Sequence, residues 1–126
     1  MLNLAILISG SGTTLQNLID KINDKTLNAN IQIVISSAPD TYGVKRAEQN
    51  NIPVSIVQRK GFNNSEIFSN TIINEIEKYS IDLIILAGFL HLFKIPDKYT
   101  GKAMKSKQKF CIFFHQIAKE KKSHSK

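Results

Sequence analysis

The sequence is poor in cysteine and has no long apolar run. Cys111 is its only cysteine, so the chain cannot form an internal disulfide or a zinc site built from several thiolates, and a reducing cytoplasm is the expected compartment. No segment approaches the roughly 20 apolar residues of a membrane-spanning helix. The apolar residues 4–8 are only as long as a strand and have no basic flank of the kind that precedes a signal sequence. These absences predict a soluble cytoplasmic protein with no membrane partner.

Acidic residues are fewer than basic ones, with 10 Asp or Glu against 17 Lys or Arg, and the formal net charge is +7. Residues 1–100 contain nine Lys or Arg and nine Asp or Glu, whereas residues 101–126 contain eight Lys and only Glu120. The excess charge therefore belongs to one segment, which predicts a domain over residues 1–104 and a basic, disordered tail over residues 105–126. An RNA-binding or membrane-binding arm is the alternative. The tail lacks an aromatic RNA-binding pattern, so nucleic acid is not the expected partner.

Four short apolar segments alternate with helical patterns. The segments cover residues 2–8, 31–36, 54–57 and 81–87 and are rich in Ile, Leu and Val, which is typical of buried parallel strands. We predict an α/β fold with a Rossmann-like parallel sheet of strand order 3-2-1-4. The crevice where the order reverses, between the ends of strands 1 and 4, is then the expected ligand site, and residues 10–14 and 88–93 should face it.

The helix starts carry capping patterns. Thr13 and Gln16 match a capping box at the first helix, and residues 44–49 suit a short second helix. For the third helix we expect Asn63 as the cap and a contact between Phe62 and Ile67. Its buried face should comprise Phe68, Ile72, Ile73, Ile76 and Tyr79.

The glycine-rich turn between the first strand and the first helix is suited to an anion. Glycines at this point let backbone N–H groups face a phosphate at the helix N-terminus. We therefore predict a phosphorylated small-molecule substrate at Gly10, Ser11, Gly12, Thr13 and Thr14. The turn lacks the third glycine of a dinucleotide fingerprint and the Lys of a P-loop, so neither NAD nor ATP is favoured. A plain tight connection is the alternative, and Asp40 can be read as a ribose contact or as a turn residue.

The second loop, residues 88–93, leaves a strand with several apolar side chains. These could receive a flat aromatic ligand, or they could simply bury one another. His91 is a candidate acid–base group because imidazole titrates near neutrality, but no carboxylate or thiol neighbours it in the sequence. His115 and His124 have no metal-ligand spacing with each other or with Cys111, so no metal site is predicted.

Three segments together resemble glycinamide ribonucleotide formyltransferase of de novo purine synthesis. They are residues 8–16 (ISGSGTTLQ), 86–90 (LAGFL) and 40–47 (DTYGVKRA), and the resemblance covers residues 1–104. It implies transfer of a formyl group from 10-formyltetrahydrofolate to glycinamide ribonucleotide without a metal. It further implies that Gly12, Thr13 and Thr14 bind the ribonucleotide phosphate. A folate pocket would be lined by Leu90, His91, Leu92 and Phe93.

The resemblance ends where the charge changes. An Arg that contacts folate in some members of that family aligns near Ser65, and the family's Asn and His of an Asn-Ile-His-Pro segment align with Lys105 and Lys107. We therefore expect no catalytic residue in this chain, which would be a truncated formyltransferase, inactive alone and dependent on a partner chain. A frameshift after Met104 would explain the tail. The alternatives are an enzyme similar to formyltetrahydrofolate hydrolase and a non-enzymatic anion-binding or RNA-binding module.

Overall fold

Residues 1–94 and the backbone of Cys111–Phe114 are described by the structure, a computed structural model. Strands and helices alternate along the chain, and a 3-10 helix lies at Arg59–Gly61. The elements are β1 (Leu2–Ile8), α1 (Thr13–Asn23), β2 (Ala29–Ser36), α2 (Tyr42–Gln49), β3 (Val54–Ile56), α3 (Ser65–Ile76), β4 (Leu83–Leu86) and β5 (Cys111–Phe114).

The strands form one parallel sheet with the order β3-β2-β1-β4-β5. Strand β1 lies between β2 and β4, with Leu4 beside Leu83 and Ile6 beside Ile85. The predicted order 3-2-1-4 is therefore confirmed for the first four strands. Because both neighbours of β1 are parallel to it, the carboxyl ends of β1, β2 and β4 lie at the same edge of the sheet.

Two apolar layers cover the sheet, one on each face. Odd-numbered β1 residues such as Leu7 face α3, whose Phe68 and Ile72 are fully buried. Even-numbered residues such as Ile6 face α1 and α2, where Leu15 packs. Each buried Leu, Ile or Phe side chain contributes about 1.5–3 kcal/mol, so both helical layers stabilise the central strand.

The helix starts differ in detail from the predictions. The capping box at α1 is wrong: Gly12 is the N-cap, and the side chain of Gln16 donates to Asp20 at 2.9 Å. At α3 the cap is Asn64, one residue after the predicted position, and its Oδ1 accepts from the N–H of Ile67 at 2.9 Å. That shift leaves Ile67 exposed. In the described part of the chain, no helix combines the length and apolarity that crossing a bilayer requires.

Aromatic packing replaces the expected contact at α3. The ring of Phe62 lies 5.7 Å from that of Phe68 and does not staple onto Ile67. The predicted buried face is otherwise observed, with Phe68, Ile72, Ile73 and Ile76 buried and Tyr79 partly buried against the same cluster.

Strand β5 changes the expected edge of the sheet. The sequence predicted four strands with strand 4 last in the order, whereas β5 pairs with β4 along Leu83–Leu86. It also predicted disorder from residue 105 onward, whereas Cys111–Phe114 form a strand. The rest of residues 105–126 lies outside the described residues, so the division of the chain at residue 104 stays a prediction.

Candidate functional site

Two loops meet at the carboxyl ends of β1 and β4, as the strand order requires. Ser9 connects them: its Oγ accepts from the N–H of Leu90 at 2.9 Å and from Oγ of Ser37 at 2.7 Å. The N–H of Ser37 in turn donates to the carbonyl of Ile8 at 3.0 Å. One hydroxyl thus fixes the loop after β1 against the loop after β4 and the end of β2.

The phosphate-loop candidate, residues Gly10 to Thr14, is held by the start of α2. The N–H of Gly43 donates to the carbonyl of Gly10 at 3.1 Å, and Nε of Arg46 donates to the carbonyl of Ser11 at 2.7 Å. The two backbones are in close contact, since a Cβ on Gly12 would lie 2.7 Å from Cα of Gly43. Glycine is therefore required at both positions for this approach.

The N-terminus of α1 has no side-chain cap. Gly12 occupies the N-cap position with φ 74° and ψ 29°, and no side chain accepts from the first turn. The other two α-helices are capped, by Thr41 in α2 and by Asn64 in α3. Because the first N–H groups of a helix have no partner within it, α1 presents donors and the positive end of its dipole to an anion.

Hydroxyl groups surround these backbone donors. The Oγ atom of Ser11 lies 3.1 Å from Oγ1 of Thr13, both side chains are exposed, and Thr14 is partly buried. The five residues predicted from the sequence are thus contiguous at one helix start. Asp40 is exposed in the turn before α2, where it fits the reading as a turn residue.

The second loop is built on an aromatic cluster formed by Phe62, Phe68, Phe89, His91 and Phe93. Phe68 is fully buried, and the ring of Phe89 stacks on it with centroids 6.1 Å apart and planes 5° apart. Phe93 is 6% exposed and meets Phe89 edge-on at 6.5 Å. The loop therefore takes its position from ring packing.

The four predicted folate-lining residues alternate in direction. Leu90 and Leu92 are 78% and 64% exposed, whereas Phe93 lies in the core and His91 is partly buried. Some side chains of this loop therefore bury one another and two apolar ones are exposed, while the binding of a flat aromatic ligand stays a prediction.

His91 lies against rings. Its imidazole meets Phe68 at 5.7 Å and Phe89 at 5.8 Å, both edge-on. The described residues contain no group of three His, Cys, Asp or Glu side chains that could hold a metal ion. Lys105, Lys107, His115 and His124 lie outside the described residues.

The sequence reasoning missed three residues that shape the site: Ser9, Gly43 and Arg46. In the sequence, Gly43 and Arg46 stand only within the segment 40–47 that resembles the family. The hydrogen-bond partners of these three residues in the site are 28 or more residues away in the chain, so periodicity cannot find them. The short sequence Thr41-Tyr42-Gly43 was the available signal, because a glycine in the first turn of a helix indicates close approach of another backbone.

Comparison with known proteins gives the family. The family model described as formyl transferase matches residues 2–108. Phosphoribosylglycinamide formyltransferase of Haemophilus influenzae is 37% identical over 106 residues, which cover 82% of this chain and 50% of that protein. The human trifunctional purine biosynthetic protein adenosine-3 is 37% identical over 102 residues, or 79% of this chain and 10% of that protein.

A solved structure agrees in fold and sequence. Phosphoribosylglycinamide formyltransferase of Coxiella burnetii superposes with a TM-score of 0.69 at 41% identity, covering 74% of this chain and 44% of that one. The chain spans about half the length of the bacterial relatives that it matches. The match ends four residues beyond the predicted boundary at 104 and includes both loops. The chain belongs to the formyl transferase family.

Proposed function

We propose that this chain binds the phosphate of glycinamide ribonucleotide as the first half of a phosphoribosylglycinamide formyltransferase of purine biosynthesis. Both H. influenzae and C. burnetii relatives carry that name. The single observation that carries the proposal is the uncapped start of α1, where Gly12 is the N-cap and Ser11, Thr13 and Thr14 follow the end of β1. A phosphate dianion would complete the missing cap.

The strength of such a contact comes from backbone donors and the helix dipole. The N–H groups and hydroxyls of residues 11–14 carry no formal charge, so they would recognise the phosphate group itself. Arg46 places a guanidinium beside this loop, where its Nε donates to the carbonyl of Ser11 and its Nη1 donates to Oε1 of Gln16. We therefore expect weak binding by this half alone, with a dissociation constant of about 1 mM, or roughly −4 kcal/mol.

The second loop supports a place for the folate co-substrate. Leu90 and Leu92 are exposed, and Phe89 and His91 lie beneath them on Phe68. An apolar surface on a rigid aromatic base suits the flat ring of 10-formyltetrahydrofolate. The hydrogen bond from Leu90 to Ser9 would keep this surface next to the phosphate loop.

Formyl transfer needs more than these two surfaces. A donor must face the developing oxyanion, and an acid–base group must move a proton from the attacking amine. Among residues 1–94 we assign neither role, since the ring of His91 lies against Phe68 and Phe89. We propose that the 126-residue chain binds ribonucleotide without transferring formyl, and that a partner chain would have to supply the missing groups. A metal-free reaction and a cytoplasmic location are parts of the same proposal.

A titration of the 126-residue chain tests the proposal. Glycinamide ribonucleotide and ribose 5-phosphate should both bind near millimolar concentration in calorimetry, whereas the ribonucleoside without phosphate should not. Gly12→Ala should abolish binding, because the added Cβ would lie 2.7 Å from Cα of Gly43 and φ is 74°. Gly61→Ala is the matched control, since a Cβ there meets nothing within 4 Å. Equal binding of the phosphate-free ligand would contradict the proposal.

An activity assay completes the test. Absorbance of the folate product should show no turnover with the isolated chain. Measurable formyl transfer would refute the proposed lack of activity and would require a catalytic group in this sequence.

A further inference from the structure

We propose that Arg46 is a positioning residue for phosphate binding: it turns the Ser11–Gly12 peptide so that the N–H of Gly12 faces the anion. This inference rests on the proposed function. It assigns to α2, which carries Arg46, a part in a site formed by the loop before α1. The geometry consists of two successive carbonyl contacts between this loop and α2.

Two successive carbonyls of this loop accept hydrogen bonds from α2. The Gly10 carbonyl accepts from the N–H of Gly43 at 3.1 Å, and the next carbonyl, that of Ser11, accepts from Nε of Arg46 at 2.7 Å. Both carbonyls therefore point toward α2.

Peptide geometry then fixes the direction of the neighbouring N–H groups. The structure has no cis peptide bond in the described residues, and in a trans peptide the C=O and N–H point in opposite directions. The N–H groups of Ser11 and Gly12 share peptide units with the two bonded carbonyls. They consequently point away from α2, and neither donates to an acceptor among the described residues. Two adjacent N–H groups aimed to one side form an anion-binding concavity.

The guanidinium of Arg46 is itself held in place by Gln16 and Tyr42. Besides the Ser11 bond, Nη1 of Arg46 donates to Oε1 of Gln16 at 3.3 Å, and the Tyr42 ring lies 4.7 Å from Cζ. Arg46 is partly buried by these contacts. A side chain held at three points can restrain a peptide, because little rotamer freedom remains to be lost.

A lysine at position 46 could not make the Nε hydrogen bond to the carbonyl of Ser11. In lysine a methylene stands where arginine has Nε, so Arg46→Lys keeps the charge and removes the donor to Ser11. This separates positioning from simple attraction. If Arg46 acted through its charge, the lysine variant would bind phosphate as well as the parent chain does.

The experiment is a titration of the 126-residue chain with inorganic phosphate, followed by the amide resonances of residues 11–14 in NMR. In the parent chain all four amides should shift. In Arg46→Lys and Arg46→Gln the affinity should fall about tenfold, the value expected for one charge-assisted hydrogen bond. The Ser11 and Gly12 shifts should shrink, while Thr13 and Thr14, which belong to the helix, should still respond.

Lys45→Gln is the matched control, because Lys45 is exposed on the same helix and its removal lowers the charge equally. It should bind like the parent chain. Wild-type affinity in Arg46→Lys, or uniform loss of all four amide shifts, would overturn the positioning role while phosphate binding stands. If the parent chain itself binds no phosphate, the proposed function fails and this inference fails with it.

Discussion

The loops after β1 and β4 lie at the same edge of the sheet but are held there by different kinds of contact. Each turns at a glycine with φ of 74°, Gly12 in the first and Gly88 in the second. The first loop is held through its backbone, by Gly43 and Arg46 of α2. The second has one backbone hydrogen bond, from the N–H of Leu90 to Ser9, and is otherwise held by its side chains, with the ring of Phe89 stacked on Phe68 of α3. A loop fixed by backbone contacts keeps its polar groups directed, whereas a loop fixed by rings keeps an apolar surface in place.

The aromatic base of the second loop should give the largest effect. Phe68→Ala removes a fully buried ring that contacts Phe62, Phe89 and His91, so the free energy of unfolding should fall by about 3–5 kcal/mol. Urea denaturation measures the loss. Phe68→Leu should lose less because it keeps most of the apolar volume. Phosphate affinity of the folded fraction should not change, and a parallel loss of phosphate binding would remove the distinction between the loops.

The contact between α2 and the first loop should give the next largest effect. In Gly43→Ala the new Cβ would lie 2.6 Å from both the Gly10 carbonyl oxygen and Cδ1 of Ile8. We expect a loss of about 1–3 kcal/mol in stability from overpacking, together with weaker phosphate binding. Denaturation and calorimetry measure the two effects. Gly61→Ala, with open space around it, should change neither, and an unaffected Gly43→Ala would contradict the close approach.

The link between the loops should give a smaller effect. Ser9→Ala removes the acceptor of two hydrogen bonds and leaves the N–H of Leu90 without its partner, at a cost of about 1 kcal/mol. Amide hydrogen exchange at Leu90 should become faster. Ser80→Ala, at an exposed serine before β4, is the control and should leave that exchange unchanged. Unaltered exchange in Ser9→Ala would show that the loops are positioned independently.

The smallest effect lies away from both loops, at the end of α1. The Thr26 hydroxyl and its N–H, which donates to Oδ1 of Asp24 at 2.8 Å, hold the pKa of Asp24 below its ordinary value, and Lys21 adds to this while partial desolvation opposes it. A lowered pKa in the folded state contributes stability above the unfolded pKa, and this is lost as the pH falls through the folded value. Asp24→Ala should therefore be less stable than the parent chain at pH 7, and the difference in stability should shrink as the pH falls. Thermal unfolding at several pH values measures this difference.

The strand pattern and the first loop could be predicted from local sequence. Strand β1 is buried on both faces from Leu4 to Ile8 and stands out by its apolar composition, and Gly10 and Gly12 indicate a tight turn between strand and helix. These signals depend on neighbouring residues, so one sequence is sufficient to read them.

The rest depended on contacts between distant segments. Thr13, followed three residues later by Gln16, predicts a cap at Thr13. The N-cap is Gly12 instead, and its backbone lies in close contact with Gly43 of α2. Strand β5 was missed because a four-residue strand inside a lysine-rich segment gives no periodic signal. Arg46 was missed as a site residue because its partner, Ser11, is 35 residues away.

The hydrogen bond between Ser9 and Leu90 joins residues 81 positions apart, and this has a consequence for biosynthesis. When a ribosome has released only the first two βα units, β2 can lie beside β1 but β4 is absent. The hydroxyl of Ser9 then cannot accept the hydrogen bond from the N–H of Leu90. The two loops can take their final arrangement only after residue 90 has left the exit tunnel. A nascent chain arrested before that residue should contain the loop after β1 without the hydrogen bond that links it to the loop after β4.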